Sequence, residues 1–455
     1  MQLAVGSGPD WGEKQRVHQD WRRRPLKCKG LCIGLAIIGG MRLETTAHPV
    51  AVALALSMGA AVSLGIARFA YGLLLPSMRD DLGWSYLLAG AMNTANALGY
   101  LLGALALPWL LKRFEAVQVL VFGAALASVF MALSGFFIDA SALLVQRLLA
   151  GVASALVFAT GGLLAARLAA LTPERSGFLI GLYYGGTGFG IVLSALLVPA
   201  VLQAAAGQPH AWAWAWWALA LGCVAGTLVL VWPARVLGAI AKAGNAAPQS
   251  ETQAQASGRQ LPLAASQRAM PPAFRWRDFR FALASYFLFG VGYIGYMTFV
   301  IALIRQQGAS PGFVTLFYSL LGVAVVGSSR LWAGLLDRYK GGQTLAMLSA
   351  LLGIATLMPA LTNLQSLLLL SGALFGAVFL SLVASTTALV RHNLPQASWA
   401  AGISSFTAVF AAGQIVGPTV TGWISDGAGG LERGLVFSAA ALWLGAVLAW
   451  RQRAL

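Results

Sequence analysis

From Pro49 to Trp450 the chain is written in apolar runs of about 20 residues or more, each long enough to cross a hydrocarbon core of about 30 Å. The runs fall at 49–76, 84–110, 116–137, 140–168, 177–203, 210–232, 280–304, 311–333, 343–361, 364–390, 398–424 and 431–450. Inside lipid every backbone N–H and C=O needs a partner from the chain itself, and runs of this length meet that need as α-helices. Only 10% of the 455 residues are charged and 58% are hydrophobic, where a soluble domain carries about 25% charge. The reading is an all-α membrane protein with twelve transmembrane helices in two six-helix halves.

The polar segments divide the chain. Residues 1–48 read as a basic cytoplasmic extension without a fold of its own, centred on Arg22-Arg23-Arg24-Pro25-Leu26-Lys27. The apolar run Leu31 to Gly40 is too short to span, and Met41 opens a stretch that reads as the natural start of the polytopic chain. The first half occupies 49–232. A linker rich in Ala, Gln, Ser and Pro follows at 233–279, then the second half at 280–450 and a tail at 451–455. With the N-terminus inside, the outer loops hold only Arg79, Arg305 and Arg433. Lys112, Arg113, Arg167, Arg175, Lys340, Arg391, Arg451 and Arg453 then face inward, as does the basic linker. That asymmetry predicts that both termini are cytoplasmic. Two landmarks recur between the halves. Leu110-Leu111-Lys112-Arg113 answers Leu335-Leu336-Asp337-Arg338 at an offset of 335 − 110 = 225, and Pro173 answers Pro395 at 395 − 173 = 222. A duplicated six-helix unit is the simplest source of both.

Catalytic constellations are nearly absent. The four histidines fall in loops or at helix edges, and no zinc-protease or nucleotide-phosphate motif occurs. Three cysteines make no disulfide framework. The net charge of +16 is spread between membrane segments rather than gathered on a soluble face, which argues for a bilayer and against nucleic acid as partner. No metal and no cofactor is expected, and the chain is not read as an enzyme.

The charges inside the apolar runs are therefore informative. Arg68 stands within 49–76, and Arg147 within 140–168. An arginine near the centre of a membrane helix costs about 2.5–3.5 kcal/mol on insertion scales, so it needs a partner, water or a task. Arg68 lies 76 − 68 = 8 residues before the outer end of its run, and Arg147 lies 147 − 139 = 8 residues after the start of its own. At about 1.5 Å per residue both sit about 12 Å below the outer surface. No Asp or Glu falls well inside any run. Two guanidiniums without a carboxylate suit a bidentate anion. Snorkelling or a bond to backbone carbonyls is the competing reading for each. Asn93 and Asn96 share a helix face with Tyr100, and with Tyr71, Tyr184, Tyr293 and Gln414 they complete a candidate substrate site.

Four stretches resemble a known family. Gly65-Ile66-Ala67-Arg68-Phe69-Ala70-Tyr71-Gly72 with Leu73 to Pro76, then Asp81-Leu82-Gly83-Trp84, is similar to the first helix of the bacterial YbfB/YjiJ-type group of the major facilitator superfamily. Arg147-Leu148-Leu149-Ala150-Gly151, Gly334-Leu335-Leu336-Asp337-Arg338 and Gly413-Gln414-Ile415-Val416-Gly417-Pro418 resemble the superfamily's helix four, its loop motif and the group's helix eleven. The resemblance spans about residues 49–450. It implies a secondary transporter of the bacterial inner membrane, a monomer whose halves rock around a site lined by helices one and four. It also implies that Arg147 bonds to helix-one carbonyls, and that Asp337 and Arg338 act as a conformational latch. The first-half copy of the loop departs from the pattern, with Leu107-Pro108 where an aspartate and an arginine are usual. The favoured substrate is a small organic anion, moved with protons or by exchange. An efflux carrier for drugs or metabolites and a transporter-like sensor that binds without turnover stay open as alternatives.

Overall fold

The computed structural model describes residues 48–246, 274–395 and 398–455. The expected N-terminal extension, apart from His48, and the middle of the linker fall outside those residues. Among the described residues twelve long helices follow one another: α1 (Pro49–Leu82), α2 (Tyr86–Leu110), α3 (Ala116–Leu133), α4 (Ala140–Ala170), α5 (Ser176–Ala204) and α6 (Ala211–Ala246) in the first half, then α7 (Arg280–Gln306), α8 (Pro311–Leu331), α9 (Gln343–Leu361), α10 (Gln365–Asn393), α11 (Trp399–Asp426) and α12 (Gly430–Trp450) in the second. Eleven are long and apolar enough to cross a membrane. The other, α2, has 25 residues and is long enough to span, but Asn93, Thr94 and Asn96 dilute its apolar character.

Capping fixes where several helices begin. Ser85, Asp139 and Ser310 each accept a backbone N–H three residues on, which satisfies one of the donors a helix start leaves free. Two boundaries differ from the sequence reading. The first helix continues through Pro76 to Leu82. Arg68 therefore lies deeper than the spacing to Pro76 implies. The sixth helix runs through Pro233 to Ala246, beyond the linker boundary expected at 233. A proline removes one intrahelical bond without ending a helix that its neighbours support.

Packing within a half is close: α2 lies along α4, and α7 along α12. Between the halves α2 packs on α11 and α5 on α8. Small residues allow both crossings. A Cβ on Gly188 would collide with the Gly322 carbonyl, and one on Gly90 with the Pro418 carbonyl. The starts of α7 and α9 and the end of α12 meet where Gln452 accepts from the N–H of Ala282 at 3.3 Å through its side chain, and from that of Gly342 at 2.9 Å through its backbone. We refer to that side as the terminal face, and to the other as the far face.

The far face is tied shut between the halves. The Asp426 carboxylate at the end of α11 accepts the backbone N–H groups of Tyr86 and Leu87 at 2.7 and 2.8 Å, so the second half caps the start of α2. Gln306 donates to the Tyr86 hydroxyl at 2.6 Å. Deeper in, the Thr94 hydroxyl donates to Ile415 O at 2.7 Å and lies 2.7 Å from that of Thr419.

Candidate binding site

The site is built on a break in α1. Residues Ala61–Ile66 wind as a π-helix and residues 67–70 form turns before the helix resumes at Tyr71. The amides of Ala67 and Phe69 bond five residues back, to Val62 O and Leu64 O, both at 3.0 Å. Wide turns of this kind free carbonyls and are frequent at functional sites. Two carbonyls at the break are claimed by side chains from opposite halves of the protein. Arg147 Nη1 donates to Ala67 O at 3.0 Å, and the Tyr318 hydroxyl of α8 donates to Phe69 O at 2.7 Å.

Arg68 projects from this break and is 3% exposed. Its Nη2 donates to Oε1 of Gln414 on α11, and its guanidinium lies 5.3 Å from the centroid of the Tyr100 ring. That amide bond is the only hydrogen bond Arg68 makes among the described residues. A guanidinium carries five N–H donors, so most of its capacity is left for something other than protein.

Arg147 is engaged differently. Besides Ala67 O, it donates from Nη2 to Asn93 Oδ1 at 3.1 Å, and it lies near the rings of Tyr71 and Trp216 at 4.9 and 5.8 Å. Asn93 passes the chain on, donating from Nδ2 to the Thr298 hydroxyl of α7 at 2.7 Å. Asn96 donates to Arg147 O at 3.1 Å, and the Tyr71 hydroxyl to Ala89 O at 2.8 Å. All are buried. Removing Arg147 would strand Ala67 O and Asn93 Oδ1, at about 1–3 kcal/mol for each unsatisfied buried group. Arg147→Ala is therefore expected to lower the melting temperature of detergent-purified protein strongly, whereas Arg68→Ala leaves it near wild type. Fluorescence-detected thermal unfolding of the two variants side by side checks this.

Of the other residues expected at the site, Gln414 is the Arg68 partner, and Tyr293 is buried with its ring 5.5 Å from that of Phe410, four residues before Gln414 on α11. Tyr184 is 38% exposed and packs 5.5 Å from Phe158 of α4. Asp337 and Arg338 lie in a short helix, Ala333–Arg338, at the terminal face, where both are exposed and neither forms an ion pair among the described residues. A cavity of about 930 Å³ also opens on the terminal side between α1, α5 and α8, with Ser57, Phe178, Val326 and Arg330 in its wall. It contains none of the residues named for the substrate site. Thr298, Tyr318 and Asp426, which link the halves, were not marked for a role by the sequence. A hydroxyl or carboxylate on an apolar helix carries no sign of which carbonyl or amide it will meet.

Comparison with known proteins places this arrangement. No curated protein matches the sequence. Among solved structures, a bacterial homologue of the human lysosomal transporter Spinster, inward-facing and unoccupied, superposes with a TM-score of 0.63 at 16% identity, covering 89% of this chain and 97% of that one. The nucleoside transporter NupG gives 0.60 at 14% identity, covering 89% and 99%. FucP, a major facilitator superfamily transporter in the outward conformation, gives 0.52 at 17% identity, covering 90% and 99%. At these identities the likeness is one of fold. The family described as "Uncharacterised MFS-type transporter YbfB" matches residues 60–450. The chain belongs to that family of the major facilitator superfamily.

Proposed function

We propose that the protein carries a small organic anion across the membrane by alternating access, with the Arg68 guanidinium as the group that holds the anion. Membership of an MFS-type transporter family supports transport, and the solved structures share the fold. The observation that carries the anion reading is the contrast between the two buried arginines. Arg147 is claimed by a carbonyl and a side-chain amide, while among the described residues Arg68 has one neutral hydrogen-bond partner and no carboxylate bonded to it. Each hydrogen bond from a charged donor to an anion contributes about 1.5–3 kcal/mol, and a bidentate carboxylate takes two. In this reading Arg147, Asn93, Asn96 and Tyr71 hold the broken helix in place. Gln414 keeps Arg68 pointed at the path and yields to the ligand. Tyr184 and Tyr293 line that path.

The same reading sets the membrane topology. In it the terminal face lies in the cytoplasm of a bacterial cell, an orientation that the charge of the loops supports. The cross-half hydrogen bonds among the described residues lie at the level of Arg68 or on the far side of it, which supports a state open toward the cytoplasm. Asp337 and Arg338 would latch the terminal face in the opposite state. Protons or exchange would drive the cycle. A thermal-shift screen of purified protein against a metabolite library tests the reading, because a bound ligand stabilises by RT ln(1 + [L]/Kd). Hits confined to carboxylates and phosphates are expected. Hits confined to cations would overturn it.

A further inference from the structure

Next to Arg68, on its terminal side, the second half presents rings rather than aliphatic side chains. Tyr286, Phe289 and Tyr293 recur along one face of α7, and the Phe410 ring of α11 lies nearly parallel to all three. The centroid separations are 4.8, 5.1 and 5.5 Å, with interplanar angles of 21°, 13° and 19°. Tyr293 continues the stack to Phe379 of α10 at 8°. Offset parallel rings of this kind are a favoured aromatic geometry.

Phe410 is tied to the site by helix periodicity. It lies 414 − 410 = 4 residues before Gln414, so the ring and the amide that holds Arg68 share one face of α11. Its near neighbours in the stack are buried, but Phe410 is only partly so, and keeps surface free for another ring. The first half answers with rings as well. Tyr100, also partly buried, lies under the Arg68 guanidinium, and Tyr184 is 38% exposed. A fixed cation stands at one end and flat apolar faces lie beside it.

We infer that the anion carried by this protein is aromatic, its carboxylate or equivalent group on Arg68 and its ring laid against Phe410 as a further member of the stack. The inference rests on the anion reading above and narrows it. An aliphatic acid of equal charge would satisfy Arg68 but forgo the ring-on-ring contact, which favours an aromatic ligand by about twofold to tenfold.

The test is a binding series on the purified full-length protein, read by thermal shift or calorimetry. The probes are benzoate, hexanoate and neutral benzyl alcohol, on wild type, Arg68→Ala and Phe410→Leu. Benzoate is expected to bind about twofold to tenfold tighter than hexanoate. Arg68→Ala should abolish both carboxylates, and Phe410→Leu should bring their ratio toward one. Equal or tighter binding of hexanoate, still lost in Arg68→Ala, overturns the aromatic inference and leaves the anion reading standing. Benzyl alcohol matching benzoate, carboxylate binding that survives in Arg68→Ala, or binding of neither carboxylate overturns the anion reading and the inference with it. The wild-type series decides the matter even where Phe410→Leu does not fold.

Discussion

Arg68→Ala is expected to reduce uptake into proteoliposomes by about a hundredfold or more, while the protein still inserts, purifies as a single species and melts near the wild-type temperature. The magnitude comes from losing two charge-assisted hydrogen bonds to a carboxylate, each contributing about 1.5–3 kcal/mol. The intact fold follows from what Arg68 leaves behind: its one described protein bond is to Gln414, so the truncation strands a single amide oxygen. Arg68→Lys retains the charge but replaces a planar fork with a point donor, and uptake should fall by about tenfold. Uptake by Arg68→Ala at near-wild-type rates would remove the site from α1 altogether.

The second large effect separates the moving contacts of the fold from the permanent ones. A methyl group on Gly90 would drive into the Pro418 carbonyl across the α2–α11 crossing, and one on Gly99 into the Leu148 carbonyl across the α2–α4 crossing. Overpacking of this kind costs about 1–3 kcal/mol. In Gly99→Ala that cost falls on a contact within one half, present in every state of a rocking cycle, and the melting temperature should drop. Gly90→Ala penalises only the state in which the far face is closed. A cost of 1–3 kcal/mol shifts such an equilibrium by roughly fivefold to 150-fold toward the far-open state. Thr94→Cys, placed at the same crossing, should then react faster with a membrane-impermeant maleimide added from the far side. A drop in melting temperature for Gly90→Ala with unchanged labelling would mean that α2 and α11 do not separate.

The sequence carried the helices better than the site. Length and apolar continuity were enough to locate all twelve, because a bilayer allows few other folds. Arg68 was visible as a charge out of place, and Gln414 and Tyr293 as polar groups at a plausible depth. The sequence could not distinguish the role of Arg68 from that of Arg147, since both are lone arginines in apolar runs. What separates them is a π-helical turn whose free Ala67 carbonyl takes up one and not the other. The run Ala61–Ile66 has no proline and only ordinary helix formers beside one glycine, so nothing local announces the break. The aromatic stack has the same character. Tyr286, Phe289 and Tyr293 lie on one helix, but Phe410 reaches them from more than a hundred residues away.

The start of α2 has a consequence for how this protein can be watched. The amide of Leu88 is held by Ser85 of the same helix, whereas those of Tyr86 and Leu87 are held by Asp426 of the other half. If the proposed cycle parts the halves at the far face, two adjacent backbone protons should lose their protection together while the third keeps it. Deuterium uptake at Tyr86 and Leu87, measured against Leu88 as an internal standard, would time the opening of the gate in unlabelled, unmutated protein.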